Sequence, residues 1–162
     1  MDVIIKKMET AAEIRGKAFV HWRCWHEVYA GIVNQEYLDK MTLENFEEKA
    51  FLWLDNILVA KESDRVIGFV GYGEHGRESP AIGEIFALYL LPERCGKGIG
   101  LRMMETALEH LKEYPEICLW VFKENKRAIR FYHKCGFHED GMEKTVPGIE
   151  AAGIRMILRQ ER

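Results

Sequence analysis

The chain has 162 residues, the length of one ordinary domain, and its net charge of −3 excludes the strongly basic surface of a general nucleic-acid binder. Hydrophobic residues make up 48% and charged residues 30%, as in soluble globular proteins, and no apolar run approaches the roughly 18 residues that a membrane span needs. We therefore expect a single domain over residues 1–162, without a signal peptide, a membrane partner or a nucleic-acid partner.

The cysteines and histidines do not form a recognisable ligand pattern. The four cysteines are widely spaced without a Cys-x-x-Cys pair, and the six histidines form no metal-binding motif. We therefore expect no structural metal, no disulfide framework and a cytoplasmic location.

The predicted elements follow the hydrophobic periodicity along the chain. Residues 3–8 alternate as a strand, and Thr10 and Glu13 form a capping box that begins a helix ending near Gly31. The next elements are helices at 36–40 and 43–54, strands at 56–61 and 66–72, and a loop at 73–81. The last are a strand at 84–91, a helix at 98–113, a strand at 117–122, a helix at 126–134, and strands at 137–144 and 154–159.

This order of elements predicts a mixed α/β fold of the α+β kind. Strand–helix–strand connectivity requires a parallel pair, whereas hairpin-connected strands are antiparallel. We therefore expect a mixed sheet with helices on both faces.

The glycines between the strand at 84–91 and the helix that follows it predict an anion site. Gly96, Gly98 and Gly100 alternate, so the backbone can approach a ligand closely there. The first amides of the helix lack intrahelical partners and carry the positive end of its dipole, which favours a pyrophosphate. Gly98 stands where a Walker A motif has Ser or Thr, and Gly-x-Gly-x-Gly differs from the dinucleotide fingerprint. A glycine-rich turn without a ligand is the alternative.

Two segments carry a resemblance to a known family. Residues 84–92 (Glu-Ile-Phe-Ala-Leu-Tyr-Leu-Leu-Pro), followed by Gly-Lys-Gly-Ile-Gly at 96–100, resemble the acetyl-CoA motif of the GNAT N-acetyltransferase superfamily. Residues 125–137 are similar to its downstream motif Asn-x-x-Ala-x-x-x-Tyr-x-x-x-Gly-Phe at every fixed position. Cys95 departs from the family, which usually has Gln or Arg at that position.

The resemblance implies a single-domain GNAT-like fold whose mostly antiparallel sheet has a central parallel pair that splays at the acetyl-CoA site. It implies transfer of an acetyl group from acetyl-CoA, the cosubstrate, to a primary amine. The sequence has no nucleophile elbow, which favours direct transfer in a ternary complex over an acyl-enzyme. The residues that it places at acetyl-CoA are Leu88, Tyr89, Leu90, Cys95, Gly96, Lys97, Gly98, Ile99, Gly100, Leu101 and Asn125.

The chemistry requires a base and benefits from an acid. A lysine-like amine has a pKa of about 10.4, so its neutral form costs roughly 4–5 kcal/mol at pH 7. The resemblance implies Glu84 as the base, acting directly or through a water, and Tyr132 as the acid for the leaving thiolate. The structural alternatives are that Glu84 only opens a strand and that Tyr132 only packs beside Phe131.

The stretch from Glu27 to Asp55 has seven acids and two lysines, a charge of −5, which suits a small cationic acceptor. Trp25 and Tyr29 lie four residues apart on one helical face, and we expect them and Glu27 to bind the acceptor. The alternatives left open are a solvated acidic face, a protein amino group as acceptor, and a non-catalytic acetyl-CoA-binding regulatory module. A homodimer is compatible with the sequence.

Overall fold

The computed structural model describes residues 2–76 and 81–160. The strands are β1 (Val3–Lys7), β2 (Ile57–Glu62), β3 (Arg65–His75), β4 (Ile82–Leu90), β5 (Glu116–Phe122), β6 (His138–Val146) and β7 (Ala151–Arg159). The helices are α1 (Ala11–Val28), α2 (Gln35–Lys40), α3 (Leu43–Leu52), α4 (Ile99–His110) and α5 (Lys126–Lys134), with a 3-10 turn at Pro92–Arg94.

Polar side chains at the helix starts explain where several helices begin. Thr10 and Glu13 form the expected capping box of α1, and the Thr42 hydroxyl accepts from the Asn45 amide at the start of α3. The Asn125 side chain accepts from the amide of Ala128 and caps α5. These starts follow from short-range sequence patterns, and the structure confirms them.

Three helix ends and one loop differ from the sequence prediction, and the first of them is α3, which ends at Leu52 and not at 54. α1 ends at Val28, before Gly31, because the Tyr29 carbonyl accepts two amides of the turn that follows. α4 ends at His110 and not at 113. Residues 73–75 of the predicted loop belong to β3, which stays paired with β4 as far as the His75–Ile82 pair. The part of that loop at 77–80 lies outside the described residues.

The sheet has seven strands in the order β1-β2-β3-β4-β5-β7-β6. Every neighbouring pair is antiparallel except β4 and β5, which are parallel and joined through α4, as the strand–helix–strand order requires. The predicted mixed, mostly antiparallel architecture is therefore confirmed.

Helices cover both faces of this sheet. On one face α1 packs so closely that a Cβ on Gly16 would lie 2.7 Å from Val66, and the ring of His21 contacts Phe69. On the other face the Met103 sulfur of α4 would lie 3.1 Å from a Cβ on Gly68, and His110 stacks on Tyr72. The two layers of core thus lie between the sheet and α1 on one side and between the sheet and α4 on the other. Within residues 2–76 and 81–160, no helix is long and apolar enough to span a membrane.

Candidate active site

β4 and β5 separate soon after they pair. Their parallel ladder covers Gly83–Ile85 of β4 and Ile117–Leu119 of β5, although β4 continues to Leu90 and β5 to Phe122. A gap therefore opens between the two strands towards their carboxyl ends. This is the geometry that the resemblance predicted for the centre of the sheet.

The backbone of β4 has two unequal sides in this region. The Leu91 amide donates to the Ile67 carbonyl at 2.9 Å, so Leu91, and with it Tyr89, bonds towards β3. Because an antiparallel strand turns alternate residues to opposite neighbours, Leu88 and Leu90 direct their amides and carbonyls into the gap. Of the three predicted backbone contacts, these two are therefore the ones available to a ligand in the gap.

The backbone of Tyr89 is not directed into the gap, but its side chain lies near the gap. Its hydroxyl lies 3.0 Å from the hydroxyl of Tyr29, and Trp25 and Phe122 pack edge-on against the Tyr29 ring, each with centroids at 4.9 Å. Burial, followed by the mutual influence of the two phenols, raises the pKa of Tyr29, so it stays protonated. Trp25 and Tyr29, predicted to bind the acceptor, thus form an aromatic wall behind β4.

The indole N–H of Trp25 is buried and points to the Tyr89 hydroxyl, although the contact lacks the geometry of a full hydrogen bond. A buried donor that is incompletely paired can also donate to a ligand oxygen. Sequence reasoning missed His21, whose ring lies between Phe46 and Tyr89. Burial, with the nearby charges of Lys17 and Lys49, lowers the pKa of His21 to about 3. The wall therefore contributes a neutral imidazole and no charge.

The glycine loop presents backbone to solvent at the start of α4. Gly96 and Gly98 have φ of +84° and +82°, a left-handed conformation that side-chain-bearing residues seldom adopt. Gly98 is the N-cap of α4, no side chain caps the helix there, and its first turn contains no acidic residue. The amides of Ile99, Gly100 and Leu101 are consequently open to an anion.

The loop exposes its glycines and Lys97 to solvent, whereas the side chain of Cys95 points inwards. Gly96, Lys97 and Gly98 are exposed. The Cys95 amide donates to the Pro92 carbonyl, and its thiol lies 3.7 Å from the Leu91 carbonyl, so Cys95 faces away from the loop surface. The Cys95 side chain therefore bonds to the backbone that precedes the loop.

Tyr132 lies on α5, which borders the gap, and Asn125 is the N-cap of this helix. Tyr132 is only 9% exposed, and its ring packs against Phe131 and Phe137. Its hydroxyl has no hydrogen-bond partner within residues 2–76 and 81–160. Burial, followed by the nearby Tyr29 and Cys135, raises the pKa of Tyr132. The phenol is therefore protonated at neutral pH and able to donate.

A bulge in β4 determines which way Glu84 points. Gly71 pairs with Ala87 but Tyr72 pairs with Ile85, so Phe86 is an extra residue. As a result, Glu84 pairs with Gly73 and Tyr89 pairs with Phe69. Gly73 and Phe69 are four residues apart on β3 and so face the same side of the sheet. The side chains of Glu84 and Tyr89 therefore both lie on the α1 face. Without the bulge, Glu84 and Tyr89 would lie on opposite faces.

The carboxylate of Glu84 has a partner that the sequence did not indicate. Oε1 bonds to Nδ1 of His75, which comes nine residues earlier, at the end of β3. Because an ionised carboxylate only accepts, Nδ1 carries the proton and donates it. His75 therefore fixes the orientation of Glu84.

Glu27 is not a free charge. It accepts from Arg23 Nε at 3.1 Å, and Arg23 also donates to Glu93 at 2.7 Å, just before the glycine loop. Arg94 is paired with Glu62 at 2.5 Å and is directed towards β2. Among the described residues, the other acids of the acidic stretch form no ion pairs: Glu36, Asp39, Glu44, Glu47, Glu48 and Asp55.

The sequence of this chain is similar to those of known acetyltransferases. Residues 19–137 match the acetyltransferase (GNAT) family. An uncharacterised N-acetyltransferase of Archaeoglobus fulgidus is 36% identical over 120 residues, which cover 68% of this chain and 79% of that protein. The chain therefore belongs to the GNAT family of N-acetyltransferases.

Relatives with named substrates are more distant. A spermidine N(1)-acetyltransferase of Thermoplasma acidophilum is 29% identical over 146 residues, covering 82% of this chain and 83% of that protein. A mycothiol acetyltransferase of Acidimicrobium ferrooxidans is 31% identical over 134 residues, covering 79% of this chain but only 40% of that protein.

The fold is also similar to those of solved structures. The PaiA N-acetyltransferase of Thermoplasma acidophilum, solved in complex with coenzyme A, superposes with a TM-score of 0.73 and 23% identity, covering 99% of this chain and 100% of that one. The overall fold is thus that of GNAT acetyltransferases.

Proposed function

We propose that this protein transfers the acetyl group of acetyl-CoA directly to a primary amine of a small cationic metabolite. The observation that carries the proposal is the continuity of two backbone sites. The amides of Leu88 and Leu90 face the gap between β4 and β5, and β4 leads through one short turn to the open amides at the start of α4. The first site suits the amide-bearing arm of acetyl-CoA, and the second suits its pyrophosphate.

The residues around the gap supply the proton transfers. Tyr132 is held protonated by burial, so it suits the role of acid for the departing thiolate. Glu84 and Leu88 pair with Gly73 and Val70 of β3, which are three residues, or roughly 10 Å, apart along the strand, and this separation favours proton removal through an intervening water. The buried N–H of Trp25 is a donor for the acceptor or for the thioester oxygen.

A cationic acceptor is supported by the charges that remain unpaired. Glu27 is neutralised by Arg23, but the exposed acids Glu36 and Asp39 on α2 form no ion pair among the described residues. The Tyr37 ring, between them on α2, lies 6.3 Å from that of Trp25, so these charges border the aromatic wall. The similarity to a spermidine acetyltransferase agrees with an amine of this kind.

The direct test of this function is acetyl-CoA consumption with a panel of polyamines, amino sugars, neutral amines and acidic amino acids. The proposal expects turnover with polyamines in preference to acidic amino acids. Binding of CoA without turnover of any amine would instead identify a regulatory acetyl-CoA-binding module.

Gly98→Val is expected to abolish stabilisation of the protein by CoA. At 100 times its Kd a ligand adds about 2.7 kcal/mol, or roughly 5–10 °C in Tm for a chain of this size. A Cβ on Gly98 meets no protein atom within 4 Å, so the side chain would occupy the space of the pyrophosphate rather than crowd the fold. Thermal unfolding with and without CoA measures the effect, and ATP and NAD should give no shift.

The matched control for this variant is Gly141→Val. Gly141 also has positive φ, +90°, and open space around its Cβ position, but it lies in β6 away from the loop. It should share the cost of backbone strain and keep the CoA shift. A folded Gly98→Val protein that keeps the full shift would remove the loop from the cofactor site.

The double variant Glu36→Gln/Asp39→Asn is expected to lower kcat/KM for a polyamine about threefold at low salt. A unit charge pair at 10 Å in water contributes about 0.4 kcal/mol, and added salt screens it. The KM for acetyl-CoA should not change. Glu109→Gln on α4 is the control, since that residue lies at the far end of α4 from the loop, paired with Lys112. A deficit that is equally large at high salt would show that α2 does not act through charge.

A further inference from the structure

Three potential metal ligands, one of which is the proposed base, lie close together on neighbouring strands. His75 on β3, Glu84 on β4 and Cys118 on β5 each offer one ligand atom, and these atoms lie within 4.8 Å of one another. The residues are far apart in sequence and form no spacing motif, which is why the sequence predicted no metal site. The cluster exists only because the sheet brings the three strands together.

Strand register makes this arrangement specific. Glu84 and Cys118 are directly paired across the parallel ladder of β4 and β5. His75 lies two residues beyond Gly73, the β3 partner of Glu84, and so faces the same side of the sheet. The bulge at Phe86 lies outside this set, so all three side chains are held by regular paired strands and not by a mobile loop.

The donor set is selective. A ring nitrogen, a carboxylate oxygen and a sulfur together suit Zn²⁺ and similar transition-metal ions, whereas Mg²⁺ and Ca²⁺ prefer oxygen ligands alone. Cys118 is buried at the base of the cluster, and the side chains of Glu84 and His75 are 12% and 26% exposed. The site is therefore open on the His75 side, where a water or substrate atom would supply a fourth ligand.

We propose that His75, Glu84 and Cys118 form a binding site for a divalent transition-metal ion of the Zn²⁺ class, and that the bound ion inhibits acetyl transfer by occupying the Glu84 carboxylate. The inhibition rests on the proposed role of Glu84 as the base. The binding of the ion does not depend on that role.

Charge balance supports occupation by a divalent ion. Metal ions bind cysteine as the thiolate, so a Cys118 thiol must lose its proton when an ion binds. The thiol proton is released to solvent, and the proton on Nδ1 of His75 must move to Nε2 so that Nδ1 can become a ligand. The resulting thiolate and the Glu84 carboxylate together carry two negative charges, which match the charge of the ion. The nearby Arg155 is already paired with Asp140 at 2.5 Å and adds little net charge.

Metal binding is measured first, without reference to activity. Zn²⁺ is titrated into the protein against a chromophoric chelator, and Co²⁺ is used as a spectroscopic probe, since cobalt bound to a thiolate gives an intense near-ultraviolet charge-transfer band. We expect one ion per chain. Cys118→Ser and His75→Gln should each weaken Zn²⁺ binding at least tenfold, and Cys118→Ser should lose the band.

The matched control is Cys24→Ser, because Cys24 is also buried but lies on α1, outside the cluster. It should bind Zn²⁺ and Co²⁺ like the wild-type protein. His75→Gln guards against a folding defect in the cysteine variant, since His75 lies at the end of β3. Equal affinity in wild type and Cys118→Ser, or a cobalt spectrum without the thiolate band, would overturn the site.

Inhibition is then measured with the best amine of the panel. Stoichiometric Zn²⁺ should lower the initial rate of the wild-type protein at least tenfold, a chelator should restore it, and Cys118→Ser should keep its rate in Zn²⁺. Equal inhibition of Cys118→Ser would overturn the regulatory role. If no amine is acetylated, the proposed function fails, while the binding measurements still decide whether the metal site exists.

Discussion

Glu84→Gln is expected to lower kcat about 100-fold and leave the affinity for CoA unchanged. The acceptor amine must lose a proton before it attacks, and the variant removes the carboxylate that accepts it. The amide oxygen of Gln can still accept the hydrogen bond from Nδ1 of His75, so the side chain keeps its place. Steady-state kinetics measure kcat, and calorimetry with CoA measures the affinity.

Two further variants show whether this effect is specific. Glu74→Gln removes a carboxylate from β3, where it accepts from the Tyr114 hydroxyl, and should leave kcat within about twofold of wild type. Tyr132→Phe should cost less than Glu84→Gln, because a thiolate leaves without much help. Wild-type turnover in Glu84→Gln would exclude Glu84 as the base.

Glu13→Gln is expected to destabilise the fold by about 3 kcal/mol, or roughly 10 °C in Tm. The Glu13 carboxylate is 4% exposed and binds Lys6 of β1 at 2.8 Å and Lys61 of β2 at 3.1 Å. It also accepts the amides of Glu9 and Thr10, so it joins the start of α1 to two strands. The neutral amide would leave two lysines without their buried counter-charge. Thermal and denaturant unfolding measure the loss.

The pH dependence of stability gives a second measurement of Glu13. Burial alone would raise its pKa, but the hydrogen bonds from Lys6, the two amides and Lys61 outweigh burial and hold the pKa well below its usual range. A lowered folded-state pKa adds stability above the unfolded value, about 4.3, and that stability is lost as the pH falls further. The difference between wild type and Glu13→Gln should therefore shrink below about pH 4.

Glu9→Gln is the matched control for this effect. Glu9 also pairs with Lys6, at 3.1 Å, but its side chain is 66% exposed. An exposed pair of this kind contributes about 0–1 kcal/mol, so the variant should unfold close to wild type. If Glu13→Gln behaved like Glu9→Gln, the buried network would contribute little to stability.

The features that sequence predicted correctly are encoded over short distances. Thr10 and Glu13 are three residues apart, and Gly96 and Gly98 precede the helix whose start they shape. Hairpins and the strand–helix–strand unit follow from neighbouring periodicities. The order of elements and the parallel pair could therefore be read before any tertiary contact was known.

The features that the sequence did not disclose depend on strand register. The bulge at Phe86 reverses the side to which Glu84 points, and no residue pattern in β4 marks it. The contacts of Glu84 with His75 and Cys118 require three strands to align. The charge of Glu27 is paired with Arg23, which lies one helical turn earlier in α1. The residue types therefore indicated which side chains could act chemically, but the packing of the strands and helices determined which side chains they contact.

The ladder between β4 and β5 is so short that the seven-stranded sheet consists of two parts joined along a narrow seam, which is this ladder. One comprises β1 to β4 and the other β5 to β7, and the ladder between them has three residue pairs. A ligand arm in the gap would act as a temporary strand, bonding to Leu88 and Leu90 where β5 does not. This ladder has the fewest residue pairs in the described sheet, so we expect the sheet to be mechanically weakest there and binding of the proposed cofactor to couple its two halves.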